Sequence, residues 1–321
     1  MAKNEAMIPA LSLSEMSMSE FSVRLGQSFR TFGFAILRDH GIDRMLIDEA
    51  WRQTKAFFAL SEQKKRHYDI AGGAGQRGYT PFGREIAKGA SASDLKEFWH
   101  IGREPEAGEA LPPEMPANIW PQELPDFRSC FIRLYSEFDR VGARLLAAIA
   151  LDLGLPESWF EGPTQQGNSI LRLLHYPPLD TDICSAVPGA IRAEAHEDIN
   201  LITLLLGAEE AGLQLLDRGG EWIDIRPPKG ALVVNIGDML QRLTNHMLPS
   251  TTHRVVNPSQ ERMRESRYSM PFFMHLRPDF IIDPLPQCTN EASIRRYPPI
   301  SAEDYLRERL REIGLIAPVK E

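Results

Sequence analysis

Cysteine is scarce: Cys130, Cys184 and Cys288 are the three in 321 residues, and no two form a Cys-x-x-Cys pair. Thiols so widely separated read as reduced residues of a cytoplasmic protein rather than a disulfide framework. No apolar run approaches the roughly 18 residues of a membrane-spanning helix. Met1 to Phe21 has no continuous apolar stretch, so no secretory signal is expected. Positive charge is also in deficit. The 36 Lys and Arg face 44 Asp and Glu, a formal net charge of −8, whereas a nucleic-acid partner calls for a basic face. Internal repeats and low-complexity tracts are absent. What remains, with 43% hydrophobic residues, is a globular chain with ample material for a core.

Helical patterns come first along the chain and strands later. Ser19 to Arg30 and Gly41 to Leu60 have helical apolar spacing, and Gly33-Phe34-Ala35-Ile36-Leu37 between them reads as a short strand. Ser61 reads as the N-cap of a short charged helix. Residues 71 to 92 are glycine-rich and irregular. Asp126 to Gly154 carries the longest helical pattern, with Phe131, Leu134, Phe138, Val141, Leu145 and Ile149 recurring at threes and fours. From Ser169 the texture changes to short apolar strands separated by turns. The candidates are Ile170 to His175, Ile191 to His196, Leu201 to Leu206, Gly212 to Leu216, Trp222 to Ile225, Ala231 to Ile236, Met239 to Leu243, Ser250 to Val256 and Arg267 to His275. Such spacing predicts a sandwich or jelly roll. Ser301 to Leu315 has a capping signature and a charge-rich helical pattern.

Chemistry concentrates in three places. His196-Glu197-Asp198 and the later His253 supply two imidazoles and a carboxylate, the donor set of a non-haem Fe(II) centre that leaves coordination positions open. A lone His-x-Asp is common by chance, and the set gains weight from a second motif downstream. Arg267 and Ser269 share one face of a predicted strand, where a guanidinium fork and a hydroxyl can converge on a carboxylate. Glu197, between two ligands in an extended segment, is expected to point away from the metal.

In these motifs the chain resembles the isopenicillin N synthase-like family of Fe(II)/2-oxoglutarate-dependent dioxygenases. The resemblance covers nearly the whole chain. It rests on Phe32-Gly33-Phe34 through Asp39-His40-Gly41-Ile42, Leu171 to Pro177, the triad running into Leu201-Ile202-Thr203-Leu204-Leu205, Gly212 to Leu215, Asn235-Ile236-Gly237-Asp238, Thr244-Asn245, His253-Arg254-Val255 and the Arg267-x-Ser269 pair. It implies a mainly β fold with α: a double-stranded β-helix (jelly roll, cupin-like) core with N-terminal and supporting helices. It implies one catalytic domain over 1–321, with an N-terminal helical and mixed region at 1–125, a supporting helix and linker at 126–168, the core at 169–280 and a C-terminal helical segment at 281–321. Carried over by position, His196, Asp198 and His253 would hold Fe(II), while Arg267, Ser269 and Tyr176 would bind 2-oxoglutarate. The sequence departs from the family's Asn-x-Tyr-Pro motif, with Leu174 at the Asn position and His175 after it.

The activity implied is oxidation, by hydroxylation, of a small organic metabolite with O2, releasing succinate and CO2. Two other classes stay open: an iron oxidase of the same fold that needs no 2-oxoglutarate, and a non-catalytic binding module. For the substrate, Arg77, Tyr79 and Phe82 on the irregular stretch are the expected contacts, with Phe272 and Phe273 on the last strand.

Overall fold

A computed structural model describes residues 8–70, 75–85, 93–105, 108–112, 115–178, 191–207, 212–257, 262, 264–289 and 293–312. Its helices open with α1 (Met18–Phe32), α2 (Arg44–Phe58) and α3 (Glu62–Arg66), and the long α4 is Phe127–Asp152. Capping chemistry sets their starts. The Ser17 side chain accepts from the Glu20 N–H, and the expected Ser61 cap accepts from the Lys64 N–H. Gly33 ends α1 in the left-handed conformation, φ 67°, with its N–H on the Phe29 carbonyl.

The strands are β1 (Ala10–Ser12), β2 (Phe34–Arg38), β3 (Gly78–Thr80), β4 (Glu97–Gly102), β5 (Ile170–Tyr176), β6 (Ala193–His196), β7 (Ile202–Leu206), β8 (Leu213–Leu216), β9 (Trp222–Asp224), β10 (Leu232–Ile236), β11 (His253–Val255) and β12 (Arg267–Met274). They form an eight-stranded sheet, ordered β1-β2-β10-β7-β12-β5-β4-β3, and a four-stranded sheet, ordered β6-β11-β8-β9. The two sheets close on each other as the jelly roll that the strand spacing predicts.

Alternation along the strands separates two cores. Leu232, Val234 and Ile236 of β10, Ile202, Leu204 and Leu206 of β7, and Met270, Phe272 and Met274 of β12 face outward into the main core with α1, α2 and α4. Val233, Phe34, Leu213, Leu215, Ala193 and Val255 face inward and bind the sheets together at one end. The remaining inward positions belong to the site.

Two differences from the sequence reading stand out. Met239 to Leu243 is not a strand but part of a short helix, Asp238–Leu243, whose Asp238 and Met239 N–H groups donate to the carbonyls of Asp198 and Asn200. Five residues with both Met and Leu fit either period, and packing decides. Strands β1, β3 and β4 escaped the sequence reading, because β4, buried along its whole length, carries no apolar–polar alternation. The C-terminal helix spans Ala302–Glu312, started by Ser301, whose hydroxyl accepts from the Asp304 N–H at 3.0 Å. Cys184 and half of 71–92 lie outside the described residues, as does the chain after 312.

Candidate metal and cosubstrate site

His196 ends β6 and His253 begins β11, and these two strands pair so that the residues face each other directly. Their ring centroids are 4.4 Å apart. Asp198 lies two residues beyond the end of β6, and its Oδ1 lies 3.9 Å from Nε2 of each histidine. The surroundings fix which atoms are free. Nδ1–H of His196 donates to the Glu194 carbonyl at 2.6 Å, and Nδ1–H of His253 to the Thr251 carbonyl at 3.1 Å, leaving both Nε2 lone pairs on the Asp198 side. The Asp198 Oδ2 accepts from the Thr203 hydroxyl at 2.5 Å and the Asn235 amide at 2.7 Å, leaving Oδ1 for an ion. Burial, then His253, pushes the His196 imidazole down to about 4, so it is neutral, the ligating form. Burial works to raise the Asp198 carboxyl, but the imidazoles, Thr203 and Asn235 outweigh it and hold it below its ordinary value. Gly237 lets this arrangement close. A Cβ there would sit 2.2 Å from the Asn200 carbonyl oxygen.

Beside the triad a narrow cavity of about 70 Å³ runs between the sheets to Arg267. Arg267 is 1% exposed, yet its Nε and Nη1 have no hydrogen-bond partner among the described residues. Leaving buried charged donors unpaired is costly, so a carboxylate is the group this end of the barrel fits. Ser269 lies on the same face of β12, and Tyr176 pairs across to Arg267 from β5, with the guanidinium 5.1 Å from its ring centre. Leu174, at the motif's Asn position, also lines this cavity, opposite Ser269. His175 faces the other way, donating from Nδ1 to Glu97 at 2.6 Å and stacked on Tyr268.

On the far side of the triad a second cavity, about 410 Å³, is within the range of small-molecule sites. Its walls mix Phe273, Arg172, His100 and His275 with the pair Glu85 and Lys96, and the C-terminal helix contributes Leu306 and Leu310. Both cavities share Lys96, Arg172, His196, Asp198 and Phe273. A larger depression of about 550 Å³, near Gln165, Arg277 and Asp279, contains none of the triad and lacks the orphaned buried donors seen at Arg267.

Residues 8–123 match the family described as non-haem dioxygenase in morphine synthesis, N-terminal, and residues 167–276 match the 2OG-Fe(II) oxygenase superfamily. The chain belongs to the 2OG-Fe(II) oxygenase superfamily. The 2-oxoglutarate-Fe(II) type oxidoreductase hxnY of Emericella nidulans is 35% identical over 285 residues, covering 86% of this chain and 79% of that one. A crystal structure of a 2OG-Fe(II) oxygenase family protein from Caulobacter crescentus is 49% identical, with TM-score 0.87 over 96% of this chain and 99% of the other. A full-length Neurospora crassa protein in complex with alpha-KG and thymine is 30% identical, with TM-score 0.85 over 97% of this chain and 98% of the other. The oxygenase is thus an oxidoreductase that uses Fe(II), 2-oxoglutarate and O2, which sets aside the binding-module and 2-oxoglutarate-independent readings.

Of the substrate contacts expected in this oxygenase, only Phe273 lines the cavities. Arg77 is 2% exposed and turned away, donating to the Gln76 carbonyl and to Asn168 Oδ1 at 3.3 Å. It occupies the space above Gly102, where a Cβ would lie 2.0 Å from its Cζ. The described residues of that stretch that do reach the cavity are Gly75, Gln76 and Glu85. Tyr79 packs on Phe57 and donates its hydroxyl to Glu97, because β3 pairs it with Trp99 on the outward face. Phe82 is 37% exposed and lines neither cavity. Phe272 faces outward, stacked on Phe138 at 5.5 Å, since neighbours in a strand point to opposite sides. Glu197 stands outside the ligand cluster and accepts from the Thr252 hydroxyl. The sequence reading missed Glu85, Arg172 and His275. Two of these were within reach of parity: Arg172 shares its face with Tyr176, and His275 with Arg267.

Proposed function

We propose that His196, Asp198 and His253 hold the Fe(II), that Arg267, Ser269 and Tyr176 seat the distal carboxylate of 2-oxoglutarate, and that a small planar molecule is hydroxylated in the cavity lined by Phe273 and Arg172, in the cytoplasm. The observation that carries the reading is Arg267, a buried guanidinium with two unpartnered nitrogens at the end of a cavity that begins at the triad. When bound, the ferrous ion with 2-oxoglutarate and O2 supplies the oxidising chemistry, and succinate and CO2 leave. The chain's own residues bind and orient. Thr203 and Asn235 keep the Asp198 carboxylate turned so that one oxygen faces the two imidazoles, and the walls exclude water. The thymine held in the Neurospora crassa complex supports a small planar ring as the substrate class. The buried free thiols Cys130 and Cys288 are in keeping with a reducing compartment.

Alanine at His196, Asp198 or His253 is expected to abolish turnover and to weaken iron binding in anaerobic titrations. Arg267→Ala is expected to raise the 2-oxoglutarate requirement by roughly 30-fold or more, from the ~2 kcal/mol or more lost with a charge-assisted partner, while iron binding persists. Full activity in any triad variant, or an unchanged 2-oxoglutarate requirement, would overturn the corresponding assignment.

A further inference from the structure

The wall of the larger cavity contains a polar pair that the metal and cosubstrate do not use. Arg172, on β5, is held from behind: its Nε–H donates to His100 Nε2 at 2.5 Å, and His100 Nδ1–H donates to the Gly75 carbonyl at 2.5 Å. Burial, then Arg172 itself, pushes the His100 imidazole well below its ordinary value, which keeps Nε2 an acceptor. The guanidinium lies 4.2 Å from the Phe98 ring centre and 5.1 Å from that of Phe273. Its direction is therefore set, and its outer edge is turned to Glu85. There the contact is loose, with Nη1 and Nη2 each 3.4 Å from a Glu85 oxygen, against the ~2.7–2.9 Å of a well-made charge-assisted bond. Glu85 Oε2 also receives Lys96 Nζ at 2.7 Å, whereas Oε1 has only the long contact to Arg172 among the described residues. Arg172 and Glu85 thus present a donor and an acceptor side by side, their side chains 15% and 12% exposed.

Charge decides what such an edge accepts. Lys96 and Arg172 are matched by Glu85 and Asp94, since Lys96 Nζ lies 2.7 Å from both carboxylates. A substrate carboxylate brought here would meet Glu85, and a substrate ammonium would meet Arg172 and Lys96. A neutral group with its own donor beside its own acceptor satisfies both. Building on the planar substrate proposed above, we infer that the prime substrate carries an adjacent N–H and C=O, the edge of a lactam or imide ring, with the C=O accepting from Arg172, the N–H donating to Glu85 Oε1 and the ring face against Phe273. The half-buried Phe273 lines both cavities, so a ring resting on it lies between the polar edge and the triad.

The test is anaerobic calorimetry on the Fe(II)- and 2-oxoglutarate-loaded enzyme with uracil, 2-pyridone, N-methyl-2-pyridone and benzoate. Uracil and 2-pyridone are expected to bind, with N-methyl-2-pyridone and benzoate at least tenfold weaker. Arg172→Met and Glu85→Ala are expected to lower 2-pyridone affinity tenfold or more, and Glu85→Ala to erase the preference over the N-methylated ring. Equal binding of the methylated ring, tighter binding of benzoate, or no binding of either lactam by the unmodified enzyme overturns the inference without recourse to a variant. Slow succinate formation from 2-oxoglutarate alone separates the two readings. If it persists while the lactams fail, only the substrate class falls; if it is absent, the cosubstrate assignment falls with it.

Discussion

His275 takes no part in the triad, yet it sits inside the cavity wall with its Nδ1 buried and unpartnered among the described residues. Burial pushes its imidazole from 6.5 down to about 4, with Asp198 pulling the other way. The unfolded chain therefore binds a proton between these values that the folded chain refuses. The stability contributed by neutral His275 is full above pH 6.5, is lost as pH falls toward 4, and is flat below that. At ~1.4 kcal/mol for each tenfold change in proton concentration, the window makes a decline of about 3 kcal/mol. His196 declines in the same window, so the comparison of the unmodified protein with a variant isolates His275. Urea unfolding of the metal-free protein across this range should show His275→Leu losing about 3 kcal/mol less than the unmodified chain. Parallel curves would mean that the imidazole is solvated or finds a partner.

At the scale of the element, β12 carries the site on one face and the core on the other. Phe272→Ala removes a ring stacked on Phe138 and should cost ~3–5 kcal/mol of stability while leaving the ratio of succinate to oxidised product unchanged. Phe273→Ala should do the reverse: a smaller loss on denaturation, and a raised ratio as the substrate is held less well. Equal effects on both readouts would mean that the alternation is not what divides them. The same strand explains what could be read in advance. Arg267 and Ser269 share a face because they are two apart, and His196 and His253 had to meet because their strands end and begin there. Phe272 was misassigned because two adjacent phenylalanines look alike in sequence, and only the register against β5 and β7 tells them apart. Arg77 was misassigned because an arginine beside glycines on an irregular stretch gives no sign of the small residue, Gly102, that makes room for it far along the chain. Glu85 was out of reach for a similar reason: its partner Arg172 lies far along the chain, and only the fold brings the two together.

At the scale of the whole molecule, the C-terminal helix closes the cavity that the sheets leave open. Leu306 and Leu310, one turn apart, are 9% and 8% exposed and line it, and Arg309 lies beside them. Ending the chain before Ala302 should raise the KM for the prime substrate and the succinate-to-product ratio, while the 2-oxoglutarate requirement stays within about twofold, because Arg267 lies deep between the sheets. An unchanged KM and ratio would make the helix a scaffold only. Among the described residues no helix is long and apolar enough to cross a membrane. The triad also straddles the architecture, with its histidines on the four-stranded sheet and its carboxylate clamped by Thr203 and Asn235 of the eight-stranded one. This has a meaning in time as well as in space. A growing chain that has reached residue 200 owns two of the three proposed ligands but neither the third nor the amide that turns the carboxylate. The main core between α1, α2, α4 and the large sheet contains none of the three. The chain is therefore expected to fold before it takes up iron, with cooperative thermal unfolding kept after chelation, the opposite of a domain that waits for its ion before it can fold.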